Sequence, residues 1–156
     1  MKAKFKLGNF ELIWLNGGRF ELDGGAMFGV VPKVLWEKKY PCSDGNFVPL
    51  AAWPILIRTP DANILIETGI GNKLSDKQKK IFRIREEWNL IGELNEMGLQ
   101  REDIDYVILT HYDFDHAGGV IMQDDNETLS LTFPNASHII QKTERLLRKL
   151  KCRCLI

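Results

Sequence analysis

With 156 residues, 21 basic and 21 acidic side chains and a formal net charge of zero, the chain is long enough for one domain with a proper core. It lacks the global field that recruits nucleic acid or a membrane surface. No apolar run approaches a membrane span, and Met1-Lys2-Ala3-Lys4-Phe5 does not lead into the apolar stretch of a signal peptide, so a cytoplasmic location with no nucleic-acid or membrane partner is expected.

In chain order, residues 10–15 read as a first strand. Residues 53–59 and 64–66 read as two more, joined through the turn chemistry of Pro60, Asp61, Ala62 and Asn63, so a hairpin is predicted. Asp76 is the expected cap of a helix running to about Met97, with Ile81, Ile84, Trp88, Ile91 and Leu94 at helical spacing and Gly98 as its stop. Residues 105–109 form a short, nearly continuous apolar run, suited to a strand buried on both faces. Residues 129–133 and 137–140 complete a mixed α/β pattern without internal repeats. From Lys142 to Arg153 six basic residues stand against one acidic; basic runs bind polyanions, but a short one on a neutral chain is expected to be a solvated helical tail. Cys42 is isolated, an odd total of three cysteines gives no disulfide framework, and Cys152 and Cys154 have no partner cluster for a soft metal.

The most informative stretch begins where the strand at 105–109 stops. Thr110-His111-Tyr112-Asp113-Phe114-Asp115-His116-Ala117-Gly118-Gly119 carries two of the three histidines and two carboxylates. Its side chains are expected to leave the end of a sheet into a loop, with Gly118 and Gly119 allowing a tight turn. Imidazole nitrogens and carboxylate oxygens suit zinc, iron or manganese. Without an ion, four such groups crowd together at a desolvation cost. His111, Asp113, Asp115 and His116 are therefore the candidate ligands of one or two ions. The plainer alternative is a His-Asp pair hydrogen-bonded at the surface. His138, before Ile139 and Ile140 in a strand, reads as structural or surface rather than as a ligand.

His111-x-Asp113-x-Asp115-His116 resembles the His-x-His-x-Asp-His signature of the metallo-β-lactamase superfamily, with Asp113 at the place of the second histidine. Asn63-Ile64-Leu65-Ile66-Glu67-Thr68-Gly69-Ile70-Gly71 is similar to that family's strand ending in Asp-Thr-Gly, with Glu for Asp. Residues 22–29 and Phe133-Pro134-Asn135-Ala136 resemble more narrowly the N-acyl-homoserine lactone lactonase branch, and the likeness runs over about residues 5–144.

The resemblance implies an αββα sandwich of which only the first half is present in residues 1–144, followed by an atypical basic tail at 145–156 that reads as a truncation or frameshift. It implies a metal-dependent hydrolase that cleaves a lactone or ester through a metal-bound hydroxide. His111 and Asp113 would belong to the first metal position, and Asp115 and His116 to the second. Asp115 would be the catalytic carboxylate that orients the nucleophile or handles a proton. Zinc is the expected ion, with iron or manganese as alternatives, since a carboxylate at 113 favours harder ions; flavodiiron members of the superfamily carry a carboxylate there too. The family's further ligands, a later histidine, a bridging aspartate and a last histidine, belong to a part of the fold this sequence does not span. Met27, Phe28, Val30, Val31 and Trp36 fall where related lactonases have their substrate entrance, or else pack on the fold or on a second subunit. Tyr112 and Phe114 either wall the pocket or pack beneath the metal loop. Two other readings stand beside the hydrolase: a catalytically incompetent metal-binding remnant, and a half-fold that acts as an assembly module by burying its open face in a homodimer.

Overall fold

The computed structural model describes residues 3–144; the basic tail, with Cys152 and Cys154, lies outside the described residues. The apolar runs become the strands β1 (Lys4–Leu7), β2 (Phe10–Trp14), β3 (Arg19–Asp23), β4 (Phe47–Ala51), β5 (Ile55–Arg58), β6 (Asn63–Ile66), β7 (Tyr106–Leu109), β8 (Ile121–Gln123), β9 (Leu129–Leu131) and β10 (Ser137–Ile140). Short helices lie between them: α1 (Gly24–Phe28), α2 (Lys33–Trp36), α3 (Asp76–Ile81), α4 (Leu90–Asn95) and α5 (Phe114–Ala117).

The main sheet has the order β1-β2-β5-β6-β7-β10, while β3 pairs with β4 and β8 with β9. The expected hairpin forms between β5 and β6, its turn fastened by Thr59 Oγ1, which accepts from the amides of Asp61 and Ala62 at 3.2 and 2.9 Å. β6 and β7 are parallel, as are β7 and β10, so the ends of β6 and β7 deliver Glu67 and Thr110 to the same edge of the sheet.

Strand alternation gives the main sheet two different faces. On one, Ile13, Leu56, Leu65 and Val107 stand side by side and are fully buried, packed in one cluster with Leu90 and Leu94 of α4 and with Leu99, Ile104 and Phe133. On the other, Leu12, Ile57, Ile64 and Tyr106 form one row, and Trp14, Ile55, Ile66, Ile108 and Ile139 form the next. This second face is half-buried to exposed along its whole width.

The helix expected over 76–97 is two helices with an extended break. α3 starts as foreseen, although Ser75 is its cap, in a reciprocal box with Gln78. Beyond it, Arg19 donates its amide to Glu86 O at 2.9 Å, Arg85 to Arg19 O at 2.8 Å, and Glu21 to Phe82 O at 2.8 Å. Residues 82–86 thus lie along β3, and a tertiary partner outweighs helical periodicity. Four strands, β1, β3, β4 and β8, were not among the expected ones. β1 is a Lys-Phe-Lys-Leu alternation paired with β2, and β4 contains Pro49 and pairs with β3.

The break is fastened electrostatically. Arg85 Nε donates to Glu21 at 2.8 Å and Arg83 Nη1 stands 3.4 Å from the same carboxylate. The hydrogen bond from Arg85, helped by Arg83, holds the Glu21 carboxyl below its ordinary value. A depressed folded-state value stabilises the fold above the unfolded value and ceases to do so as pH falls through the folded one. Arg85→Ala should therefore lower the urea midpoint at neutral pH, with the gap from the parent chain closing on the acid side of the ordinary glutamate range.

Candidate metal centre

The segment that follows β6 and the motif that follows β7 meet through their backbones. Thr68 donates its amide and its hydroxyl to His116 O at 2.8 and 2.9 Å, and Gly119 donates to Gly69 O at 3.1 Å. Gly69 combines a φ of +74° with an approach so close that an added Cβ would lie 2.5 Å from Gly17 Cα. Any side chain there meets both backbone strain and backbone collision.

Glu67 also takes a left-handed conformation, with φ of 63°, which a non-glycine residue adopts at a cost of about 1–3 kcal/mol. Its contacts offset that strain. The Glu67 amide donates to Ile108 O at 2.9 Å, and Thr110 donates its amide to Glu67 Oε1 at 2.9 Å. Glu67 Oε2 is buried, accepts no hydrogen bond, and faces His116 Nδ1 at 3.4 Å.

The motif runs from the end of β7 through Thr110 into α5, so Asp115 and His116 sit on a helical turn rather than in a loop, with Asp113 at the N-cap. The imidazoles of His111 and His116 lie with ring centroids 3.9 Å apart. Each has its Nδ1 engaged by the protein. His111 Nδ1 shares a 2.8 Å hydrogen bond with Thr110 Oγ1, and His116 Nδ1 faces Glu67. Each turns its Nε2 toward an aspartate: His111 to Asp113 at 3.6 Å and His116 to Asp115 at 3.3 Å.

These features fit an ion in donor type and pairwise spacing. Two donors bound to one tetrahedral ion at about 2.0–2.2 Å stand about 3.3–3.6 Å apart, which is the spacing of both pairs. A carboxylate behind the ring nitrogen of a histidine ligand is the usual support that fixes its tautomer and orientation; Glu67 stands in that place behind His116. In number the donors fall short. Among the described residues no group of three or more His, Cys, Asp or Glu side chains is arranged to hold an ion, and the Asp113 side chain is 73% exposed. The four motif residues are brought together as two pairs, not as one cluster.

Beside the motif lies a groove of about 500 Å³ lined by Ile70, Leu74, Tyr112, Asp113, Phe114 and Val120 among others. Lys73 closes one side, its ammonium donating to Gly118 O and Ile121 O, and burial holds it below the ordinary lysine value. Phe114 stacks on Phe82 at 4.1 Å and meets Phe20 edge-on at 5.2 Å, so it serves packing as well as the groove wall. Trp36 is buried and stacks on Phe28 at 4.6 Å, which makes it part of the fold, whereas Val30 is fully exposed. His138 lies in β10 opposite Val107, with Nδ1 3.0 Å from Ala136 O and Nε2 buried without a hydrogen-bond partner. Glu67 and Thr110 were not singled out as site residues from the sequence, although Glu67 lies in the Glu-Thr-Gly stretch that carried the resemblance. Among the described residues no helix is long and apolar enough to cross a membrane.

Because an added Cβ at Gly69 would strike the Gly17 backbone at a left-handed φ, Gly69→Ala should destabilise the fold by at least about 2 kcal/mol, read as a lower denaturant midpoint.

Residues 48–123 match the family profile of the metallo-beta-lactamase superfamily. The chain is 26% identical to the N-acyl homoserine lactonase of Bacillus thuringiensis over 144 residues, covering 86% of this chain and 49% of that protein. Among solved structures, a probable metal-dependent hydrolase from Staphylococcus aureus is 44% identical with a TM-score of 0.84, over 91% of this chain and 50% of the other. AidC, a dizinc quorum-quenching lactonase, is 28% identical with a TM-score of 0.69, over 94% of this chain and 46% of the other. The chain spans about half the length of the curated relatives it matches. Over the part of the fold that it spans, this chain has the mixed α/β fold of metallo-β-lactamase structures and carries that superfamily's profile match, with N-acyl homoserine lactonases among the proteins it is similar to.

Proposed function

We propose that the chain carries part of the active site of a metal-dependent hydrolase of the lactonase-like branch, acting on a small-molecule lactone or ester. The observation that carries this reading is the pair of Nε2 atoms on His111 and His116, each facing an aspartate at ligand spacing with its Nδ1 engaged from behind. His111, Asp113, Asp115 and His116 would hold one or two ions, with zinc first and iron or manganese as alternatives. A bound ion of this kind polarises a carbonyl and makes water acidic near neutral pH. Glu67 and Thr110 hold the two imidazoles so that the Nε2 lone pairs face outward. Asp115, on α5 beside His116, is the carboxylate placed to accept a proton from the attacking water. The apolar groove along Leu74 and Phe114 suits the hydrocarbon part of an acyl substrate and keeps bulk water from it.

Elemental analysis should find zinc, iron or manganese in stoichiometric amount, and Asp115→Ala should lower lactone or ester hydrolysis by two orders of magnitude or more, about the scale of losing a general base. Hydrolysis by thoroughly metal-free protein would sink the proposal. Glu67→Gln should weaken metal affinity about 10–100-fold, read by competition with a chromophoric chelator.

A second reading is favoured by the absence of a third donor at either pair among the described residues: a chain that binds an ion without turnover. It expects no activity on a panel of lactones, esters and thioesters even after metal loading, and measurable turnover would remove it.

A further inference from the structure

We propose that Trp88 is a positioning residue of the metal centre, whose indole N–H fixes the turn at Glu67-Thr68-Gly69 and thereby the Glu67 carboxylate behind His116; its role presupposes the metal-binding reading of the motif. Trp88 Nε1 donates to Thr68 O at 2.7 Å. The same indole lies beside the segment after α5, since a Cβ added at Gly119 would stand 3.1 Å from Trp88 Cζ2 and 2.4 Å from Thr68 O. One side chain therefore touches both backbone segments that frame the candidate donors.

Thr68 is the residue through which this contact acts. Its amide and its hydroxyl are both directed to His116 O, and the indole takes its carbonyl. The peptide unit that carries this carbonyl ends at Gly69, with φ of +74°, and a glycine leaves such a unit free to rotate. A hydrogen bond to the carbonyl removes that freedom. On the other side of Thr68 stands Glu67, whose φ of 63° persists only where the surroundings over-determine it. Trp88 is part of those surroundings.

The break between α3 and α4 is what places the indole. Glu86 O accepts from the Arg19 amide at 2.9 Å, the Glu86 amide donates to Arg19 O at 3.2 Å, and the Asn89 amide donates to Asn16 O at 3.4 Å. Trp88 thus sits between two anchors on the segment that leads from β2 into β3, anchors that a helix continuous over 76–97 would forgo. A phenyl ring would fill much of the same space against the core. What the half-buried indole adds is a donor, which seeks an acceptor when water is excluded, and the acceptor belongs to the neighbour of Glu67. The two imidazoles depend on this turn unequally: His116 is backed by Glu67 and fastened through Thr68, whereas His111 takes its support from Thr110.

In the metal-free whole chain, Trp88→Phe should move the ring nitrogen signals of His116 in a proton–nitrogen correlation spectrum more than those of His111, and leave those of His138, in β10, in place. Zinc affinity, read by competition with a chromophoric chelator, should fall about tenfold. The same change made in Glu67→Gln should lower it by less than about twofold, since two residues that act through one turn are not additive. A lower denaturant midpoint with unmoved His116 signals, or equal losses of affinity in both backgrounds, overturns the proposal, because the indole is then core packing alone. A parent chain that binds no zinc defeats the metal-dependent reading instead, and the His116 signals by themselves then decide the role of Trp88. If Trp88→Phe does not fold, the reciprocal measurement decides: Glu67→Gln should move the indole N–H signal of Trp88 and not that of Trp36, and an unmoved Trp88 signal overturns the proposal.

Discussion

The contact between the segment after β6 and the segment after β7 is the constraint on which the rest of the site depends. It is made of backbone against backbone, with Thr68 held to His116 and Gly69 to Gly119, and it leaves no space for a side chain at Gly118 or Gly119, where an added Cβ would lie 2.3 Å from Ile70 O and 2.4 Å from Thr68 O. Because α5 is pinned at His116 O and again at Gly119, the ring of His116 cannot drift relative to Glu67. The strained Glu67 backbone follows from the same contact. The chain must turn sharply as it leaves β6, and the residue at that turn is also the one that faces the imidazole. Position and chemistry are fixed by one bend.

The two donor pairs differ in how firmly they are held. Asp115 and His116 sit on a helical turn backed by a buried carboxylate, whereas Asp113 projects into solvent. A carboxylate at 113 carries a full negative charge where the resemblance implies a neutral ring, and its exposure limits the cost of that charge in the absence of an ion. The pair containing His116 is held by the protein from behind, whereas the pair containing His111 includes a side chain that is 73% exposed.

What was legible in the sequence was local. The hairpin of β5 and β6 followed from alternation and turn residues, and the motif announced itself because His111, Asp113, Asp115 and His116 lie within one short stretch at a strand end. The helix over 76–97 failed because periodicity at Ile81, Ile84 and Trp88 cannot register that β3, some 60 residues earlier, offers hydrogen bonds to residues 82–86. The role of Glu67 was hidden for the same reason. Nothing near it in the chain is a histidine, and its proximity to Thr110 and His116 exists only because β6 and β7 are parallel neighbours.

Parallel pairing of β6 with β7 also governs when the site comes into being. Glu67 and Thr110 are 43 residues apart, so their contact requires closing a crossover that costs on the order of 3 kcal/mol of chain entropy before any donor is oriented. Local structure such as the capped α3 and the β5–β6 hairpin does not depend on that closure, while the backing of His116 does. The His116 imidazole therefore acquires its backing only when β6 and β7 have paired, as a product of topology, whereas that of His111 comes from its chain neighbour Thr110 and is present without the crossover.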